Sequence, residues 1–320
     1  RLSGRKIEEL FSETRDLKNQ DEKNHPSDFA IWIKAAPEHL MRWNSPWSVG
    51  FPGWHLECSV MSTKYLGETF DIHGGGTDLK FPHHENEIAQ NVGACGHAPA
   101  NYWMHGNMLL IDGEKMSKSK GNTLTPKELF TGLPDDPKRE KFPISKAYSP
   151  MVMRFFMLQT HYRSTLDLTD EALQAAEKGY RRLMEGNKVL QSLAHSGGGA
   201  GSPLGAGGSD LDKEINGLIE LAFEDMSDDF NTPKALANLF ELVTKINSLK
   251  GGQLSLQDLT EVTLERLKKT FNDFIFNIFG LKDEDFDNSG DGVVDGLMRL
   301  ILDIRQEART KKDWGTSDKI

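Results

Sequence analysis

The feature that most constrains the fold is a Gly- and Ser-rich segment, residues 196–209, that divides the chain. A segment of this composition buries too little apolar surface to offset the entropy of ordering it, so we expect a flexible loop. Beyond it, apolar residues recur at spacings of three and four, as on one face of an α-helix. The sets are Leu211/Ile215/Leu218/Ile219/Ala222, Leu236/Leu239/Phe240/Val243/Ile246, Leu267/Phe271/Phe274/Ile275/Ile278 and Leu297/Leu300/Ile301/Ile304/Ala308. The sequence therefore predicts an all-α bundle of about four helices over residues 210–320.

Two further helices are predicted before this loop, in a connecting helical region over residues 147–195. Apolar side chains again recur at helical spacing, and Thr169, Asp170 and Glu171 provide an acidic start for the second helix. The two sets are Met151/Phe155/Phe156/Leu158 and Leu173/Ala176/Tyr180/Leu183.

Residues 1–146 have a different sequence pattern: short apolar runs alternate with segments rich in Trp, Gly and His, which is typical of an α/β domain. Phe70 and Ile72 alternate with polar residues as in a strand, and Gly74–Gly76 then permit either close approach of a ligand or positive φ. We expect Pro82 to open a helix. Met108–Ile111 predict a second strand, closed by an Asp-Gly turn, and Thr125–Glu128 have capping-box spacing. The lysine-rich segment between these two elements is therefore a loop.

The composition limits the classes of function. A net charge of −10 argues against a simple polyanion binder, so any contact with nucleic acid must use local basic patches. Two patches are candidates, although such clusters are more often solvated faces: Lys178, Arg181 and Arg182, and Arg305, Arg309, Lys311 and Lys312. The first residues carry no apolar signal segment, and the longest apolar runs fall far short of the ~20 residues that a membrane helix needs, so we expect a cytoplasmic protein. Two cysteines exclude a disulfide framework.

A possible metal site combines two separate segments. Cys58 lies among polar and aromatic residues, and if Pro82 opens a helix, His83 and Glu87 share one face at positions i and i+4. A thiol, an imidazole and a carboxylate form a ligand set that suits zinc. Alternatively, Cys58 is an ordinary buried thiol and the other two side chains cap and solvate a helix. For Cys95 and His97, an incidental pair in a surface turn is a better interpretation than a second metal site.

A second motif, Lys-Met-Ser-Lys-Ser-Lys-Gly-Asn at residues 115–122, places three lysines on the predicted loop. Such a loop can fold over a nucleotide and bring positive charge to a phosphate. A generic lysine cluster is more often a solvated loop, but Lys-Met-Ser-Lys-Ser is the signature of class I aminoacyl-tRNA synthetases. The segments 52–59, 70–79 and 81–87 further resemble the cysteine-specific branch of that class, the cysteinyl-tRNA synthetases. The likeness extends to residues 27–32, 45–47, 161–164 and 228–232.

The resemblance implies a Rossmann-like class I catalytic domain followed by an all-α tRNA-binding domain that reaches the anticodon. It implies a zinc- and ATP-dependent ligase that activates L-cysteine, with Mg²⁺ accompanying ATP, and joins it to tRNA(Cys). We hypothesise that the zinc separates cysteine from serine by binding the substrate sulfur. The implied roles are zinc ligation by Cys58, His83 and Glu87, transition-state stabilisation by Lys115 and Lys118, ATP contact by Lys118, cysteine contact by Trp54, His73 and Asp78, and adenosine contact by Gly74, Gly75 and Gly76. A monomer is favoured, although the sequence does not fix the oligomeric state.

The sequence departs from the family in one respect. A His-Ile-Gly-His type motif and a nearby cysteine, the fourth zinc ligand, are both missing, and Gly96-His97-Ala98-Pro99 is no substitute. We therefore expect a piece that lacks the first part of the catalytic domain and the extreme C-terminus, and that is inactive alone. Two rival interpretations remain open: a ligase that joins cysteine to an amino sugar in mycothiol synthesis, and a non-catalytic zinc-binding or RNA-binding remnant.

Overall fold

The computed structural model describes residues 2, 4, 23–25, 27–117, 120–132, 144–194, 208–284 and 310. The chain divides into two compact units. The first comprises residues 1–125, 136–145 and 160–170, and the second comprises residues 126–135, 146–159 and 171–320. Most of the predicted flexible loop, residues 196–209, lies outside the described residues, as does the last predicted helix, residues 297–308.

The first unit begins with a short antiparallel hairpin and a helix. Strands β1 (Trp32–Lys34) and β2 (Gly50–Pro52) pair with Trp32 opposite Pro52 and Lys34 opposite Gly50. Residue 50 must be glycine here, because a Cβ atom would lie 2.2 Å from the carbonyl oxygen of Ile33. Helix α1 (Trp54–Leu66) follows directly, so the hairpin sets the start of the helix that carries Cys58.

A strand–helix–strand unit comes next. Strand β3 (Phe70–Gly76) pairs in parallel with β4 (Ala100–Gly106), and the connection contains a 3₁₀ turn (Thr77–Leu79), a wide turn (Lys80–His84) and helix α2 (Glu85–Cys95). Both strands end at the same edge of the sheet, where α/β proteins bind their ligands. The expectation that Pro82 opens the helix is borne out by the backbone: Phe81 is extended (φ −139°, ψ 133°), as the residue before a proline prefers, His84 is helical (φ −68°, ψ −33°), and the Glu85 amide donates to the Pro82 carbonyl. The regular α-helix α2 follows from Glu85.

A small second sheet completes the first unit. Strand β5 (Leu109–Ile111) pairs antiparallel with β6 (Glu114–Lys115) and parallel with β7 (Leu166–Leu168). Between β5 and β6, Asp112 and Gly113 both take positive φ, 50° and 75°, as the tight turn of a hairpin requires. The predicted strand and its Asp-Gly turn are therefore confirmed.

The second unit is helical in its described part. Its helices are α3 (Pro126–Thr131), α4 (Pro150–Leu158), α5 (Asp170–Ser192), α6 (Asp210–Ser227), α7 (Thr232–Lys250) and α8 (Glu261–Asn272), which continues into a wider helical segment, Asp273–Ile278. Three of them begin with a hydroxyl that accepts a backbone N–H bond: Ser149 from Val152, Ser209 from Asp212 and Thr260 from Thr263.

The predicted apolar faces of these helices are buried. Phe155, Tyr180, Ile215, Leu239 and Phe271 are fully buried in the core. The helices predicted from the three described periodic sets, and those predicted before the loop, are thus confirmed. None of the described helices is both long and apolar enough to span a membrane.

Of the two predicted basic patches, the structure describes Lys178, Arg181 and Arg182, and both arginines contact other side chains. Arg181 lies 3.0 Å from the Glu177 carboxylate, and the Arg182 guanidinium lies 5.4 Å from the centre of the Phe240 ring. The second patch lies outside the described residues.

Two glycines in the helices of the second unit test this packing. A Cβ atom at Gly186 would lie 2.8 Å from Cγ2 of Val243, whereas one at Gly217 meets nothing within 4 Å. We expect Gly186→Ala to lower the free energy of unfolding by about 1–3 kcal/mol through overpacking, despite the better helix propensity of alanine. Gly217→Ala should raise it by about 0.5–1 kcal/mol. Urea denaturation of the two variants measures both values, and equal effects would contradict the close contact of α5 with α7.

Candidate metal centre and nucleotide loop

Three elements bring the predicted metal ligands together. Cys58 lies on α1, His83 lies in the turn before α2, and Glu87 lies in the first turn of α2. Helices α1 and α2 are joined by a hydrogen bond from the Ser59 hydroxyl to Oε1 of Gln90, 2.6 Å long. The fixed packing of these two helices places residues that are 25 or more positions apart in the sequence at one site.

The three side chains form a group that could hold a cation. One ligand atom from each, the Cys58 sulfur, a His83 ring nitrogen and a Glu87 carboxylate oxygen, lies within 4.8 Å of the other two. His83 Nε2 lies 3.0 Å from Glu87 Oε1, and His83 Nδ1 lies 2.8 Å from Nδ1 of His55. The imidazole is therefore oriented through one nitrogen while the other faces the carboxylate, as in many metal sites.

The Glu87 carboxylate is the least satisfied group of the site. It is 1% exposed, and neither oxygen has a hydrogen-bond partner among the described residues; the 3.0 Å contact with His83 lacks hydrogen-bond geometry. Burial raises the pKa of Glu87 to about 7. A carboxylate in this position is costly unless it is protonated or lies beside a cation.

Burial also shifts the other titratable groups of the site. It lowers the pKa of His83, which keeps the imidazole neutral and able to bind a metal. Burial raises the pKa of the Cys58 thiol, and the carboxylates of Glu87 and Glu57 raise it further. A bound divalent cation would reverse the shifts of Cys58 and Glu87, because it favours the thiolate and the carboxylate.

A second possible metal group shares Glu87. His73, in the middle of β3, and His84 each offer a ring nitrogen within 4.8 Å of the carboxylate and of one another. Nε2 of His73 lies 3.5 Å from Oε2 of Glu87, so the two oxygens face different imidazoles. His73 is therefore part of the same cluster as the predicted metal ligands, whereas the resemblance implies that it contacts the substrate.

His84 and His105 are a feature that the sequence analysis missed. Both are buried, and Nδ1 of His84 lies 2.9 Å from Nε2 of His105 on β4. Burial, together with the neighbouring His73, His105 and His83, lowers the pKa of His84 to about 4, against the opposing effect of Asp78. One signal of this pair was present in the sequence: Trp103 and His105 are two residues apart, so on a strand their side chains point to the same face.

The three glycines at the end of β3 have distinct surroundings. None takes positive φ; instead, a Cβ atom at Gly75 would lie 2.6 Å from Cε1 of His84, so the histidine ring occupies the space that a side chain would need. A Cβ at Gly76 would meet the Asp78 carboxylate at 2.3 Å. Of the two expected reasons for these glycines, close approach is the one that the structure supports, and at Gly75 and Gly76 the approaching groups are side chains of the protein.

The remaining predicted substrate residues border the same cluster. Trp54 is the first residue of α1, and its ring centre lies 4.1 Å from that of His83 while much of its surface stays exposed. Asp78 lies in the turn after β3. Cys95 and His97 lie elsewhere, at and beyond the end of α2, and no possible metal group among the described residues includes them.

The lysine motif forms a separate feature after the β5–β6 hairpin. Lys115 is exposed in β6, while Lys118 lies outside the described residues. The Asn122 side chain closes the base of the loop: it accepts a bond from the Ser117 amide (2.8 Å) and donates one to the Lys115 carbonyl (3.2 Å). Lys120 lies 3.0 Å from Glu114. Asn122 is part of the motif, but the sequence does not predict that its side chain bridges the backbones of Lys115 and Ser117.

Two families of known proteins match the chain. The first, described as "tRNA synthetases class I (C) catalytic domain", matches residues 1–178. This chain belongs to the class I (C) tRNA synthetases. The second, described as "DALR domain", matches residues 223–282, within the helices of the second unit. Together they confirm the predicted fold class, a class I synthetase catalytic domain followed by a helical domain.

Curated relatives of this class I synthetase chain are named "Cysteine--tRNA ligase". They come from Cytophaga hutchinsonii (48% identity over 319 residues), Parabacteroides distasonis (50% over 320) and Deinococcus radiodurans (46% over 331). Each match covers 100% of this chain but only 60–61% of the relative. The resemblance to cysteinyl-tRNA synthetases is thereby confirmed, and the chain spans about three fifths of the length of these relatives.

Two adjacent glycines of β3 test the close approach of His84. Gly75→Ala must displace the imidazole ring, so we expect the free energy of unfolding of this chain to fall by about 1–3 kcal/mol. Gly74→Ala is the matched control, because its Cβ would lie 3.7 Å from the Met104 oxygen, an ordinary contact. Equal denaturation midpoints for the two variants would show that the ring does not lie against Gly75.

The buried carboxylate predicts a pH dependence of stability in the metal-free chain. Because the pKa of Glu87 is about 7 when folded and 4.5 in the unfolded reference, its contribution is present below pH 4.5 and is lost between pH 4.5 and 7, on the order of 3 kcal/mol. The lowered pKa of His84 acts oppositely, since stability is lost as the pH falls from 6.5 to about 4.

Glu87→Gln removes the carboxyl contribution, so the pH dependence of stability that comes from His84 should remain. Between pH 4.5 and 7 the stability of the variant should rise more steeply with pH than that of the wild type, as measured by urea denaturation in the presence of a chelator. Parallel curves would mean that the Glu87 pKa is not raised in the fold.

Proposed function

We propose that this chain is the zinc-bearing part of an enzyme that activates L-cysteine with ATP and transfers it to tRNA(Cys). The main support is the convergence of Cys58, His83 and Glu87 from two segments of the chain onto one buried point. The unsatisfied Glu87 carboxylate adds to this support, because a cation there would neutralise it. The names of the relatives agree with the proposal.

The donor set fits zinc, with the fourth protein ligand supplied by a part of the protein outside these residues. When bound, Zn²⁺ would provide a soft Lewis acid that prefers the sulfur of cysteine to the hydroxyl of serine. A preference for cysteine over serine of about 10⁴-fold corresponds to about 5.5 kcal/mol. A pocket that discriminates only by small differences in size does not reach this value, so a metal would make a separate editing site unnecessary.

The residues around the metal group would hold the rest of the amino acid. Trp54 provides an aromatic wall beside His83, and Asp78 provides a carboxylate at the end of β3 that can pair with the substrate ammonium group. His73, next to the Glu87 carboxylate, would border the cysteine side chain. Gly74, Gly75 and Gly76 lie at the carboxyl end of β3, where the adenosine of ATP would bind.

The lysine motif would act on ATP, which binds with Mg²⁺. The cysteine carboxylate attacks the α-phosphorus and pyrophosphate leaves, so negative charge moves onto the leaving group. Lys115 and Lys118 would stabilise that charge, and the Asn122 bridge would keep the base of the loop in shape. The helical second unit would carry the tRNA, with the helices after residue 209 reaching towards the anticodon, and the enzyme would act as a cytoplasmic monomer.

The full-length product of the gene that encodes this chain allows a direct test. We expect about one zinc ion per chain and cysteine-dependent exchange of pyrophosphate into ATP, without exchange for serine. Cys58→Ala and His83→Ala should each lose the zinc, and cysteine activation should fall by at least a hundredfold relative to serine activation. Elemental analysis and exchange assays measure these outcomes.

Cys95→Ala is the matched control, because Cys95 lies outside both metal groups and should keep zinc content and selectivity. Retained zinc with unaltered selectivity in both the Cys58 and the His83 variants would refute the proposed role of the metal. Absence of cysteine-dependent exchange in the wild-type protein would refute the proposed function as a whole.

A further inference from the structure

The loop between β1 and β2, residues 35–49, carries a cluster of large apolar side chains on its surface. We name residues 35–49 the aromatic loop. Leu40 is 98% exposed, Trp47 76% and Trp43 49%, and Met41 and Val49 are also exposed. Single exposed apolar residues are ordinary, but a group of this size on one short loop marks a surface that something covers.

The aromatic loop is ordered by its own hydrogen bonds. The backbones of Trp43 and Gly50 exchange two bonds, 2.7 and 2.9 Å long, and the Ala35 amide donates to the Val49 carbonyl at 3.0 Å. Nearer the tip, the Ser45 hydroxyl donates to the Ser48 carbonyl at 2.7 Å. The backbone that carries the two tryptophans is thus ordered before anything binds, which reduces the entropic cost of binding.

The side chains themselves indicate the chemistry of the partner. Trp47 has an aromatic neighbour in Trp32, with ring centres 6.2 Å apart at 51°, and most of its surface is open. The aromatic loop carries one cation, Arg42, and one carboxylate, Glu38, and Lys34 at the end of β1 adds a second cation, whereas the chain as a whole has a charge of −10. Open indole faces beside local positive charge are the features that bind unpaired nucleotides, by stacking and by contact with phosphates.

The aromatic loop also leads directly to the metal group. Strand β2 ends at Pro52, and only Gly53 separates it from α1. The Gly53 amide donates to the Ile31 carbonyl beside β1 (2.8 Å), and Trp54, the next residue, lies against His83. A nucleotide chain that reaches the substrate site can therefore pass the base of this loop.

We propose that Trp43 and Trp47 stack against the unpaired nucleotides at the 3′ end of the tRNA and guide that end towards the metal group. The proposal rests on the proposed function, since it assigns a surface to the RNA partner of that reaction. Trp43 and Trp47 are positioning residues: they bind the nucleotides behind the reacting adenosine and take no part in cysteine activation.

The test uses the full-length gene product and a tRNA(Cys) transcript, with and without its unpaired 3′ nucleotides. Trp47→Ala should lower kcat/KM for the transcript in aminoacylation by about tenfold, and Trp47→Phe, which keeps a stacking face, should lose less. Pyrophosphate exchange with cysteine should not change in either variant. Trp47→Ala should weaken binding of the complete transcript but leave binding of the shortened one unchanged.

Leu40→Ala is the matched control in the same loop, because it removes exposed apolar surface without an aromatic face. It should not change aminoacylation if the loop binds nucleotides. If another protein surface or another part of this protein covers the loop, Leu40→Ala and Trp47→Ala should be impaired alike, with lower stability or lower exchange, and the proposal is overturned. Wild-type aminoacylation by Trp47→Ala also overturns it. A wild-type protein without cysteine-dependent exchange would instead contradict the proposed function.

Discussion

The structure of the site depends on one buried carboxylate. Glu87 has two oxygens that face different imidazoles, those of His83 and His73, and neither oxygen has a hydrogen-bond partner among the residues that the structure describes. In the interior of a protein such a group is stable only when it is protonated or lies beside positive charge. A cation bound between Glu87, His83 and Cys58 would provide that charge and would offset the cost of burying the carboxylate.

The fold around this carboxylate serves to hold it in place. Packing of α1 against α2 brings the Cys58 thiol to the first turn of α2, and the parallel pair β3 and β4 brings His73 and His105 to the same edge of the sheet. Gly75 has no side chain because the His84 ring fills the space beside it. The glycine run thus has a packing role within the protein itself, in addition to any role towards adenosine.

Part of this arrangement could be predicted from the sequence, because it follows from local chemistry. Periodicity predicted the helices of the second unit, and the Asp-Gly turn predicted the end of β5, since both signals are short in range. Strand β6, which includes Lys115, was predicted to be a loop. Spacing suggested that His83 and Glu87 are neighbours on a helical turn opened by Pro82, and the two side chains do lie 3.0 Å apart after the extended Phe81. The His84–His105 pair and the Asn122 bridge could not be predicted, since each depends on tertiary contact or on the conformation of a loop.

The resemblance and the geometry support the same function from independent directions. Sequence motifs associate the chain with cysteinyl-tRNA synthetases, and the structure brings a thiol, an imidazole and a carboxylate to one point without reference to any motif. Three separate parts of the chain would then have three separate roles. One buried cluster would recognise sulfur, the lysine loop would act on phosphate, and the aromatic loop would guide RNA.

The most direct measurement of the central claim is zinc X-ray absorption on the full-length protein, with and without substrate. The account predicts a shell of sulfur at about 2.3 Å and nitrogen or oxygen at about 2.0–2.2 Å. One sulfur should be added to this shell when cysteine binds, and none when serine is supplied. A zinc shell that is unchanged by cysteine, or that contains no protein sulfur, would contradict the account.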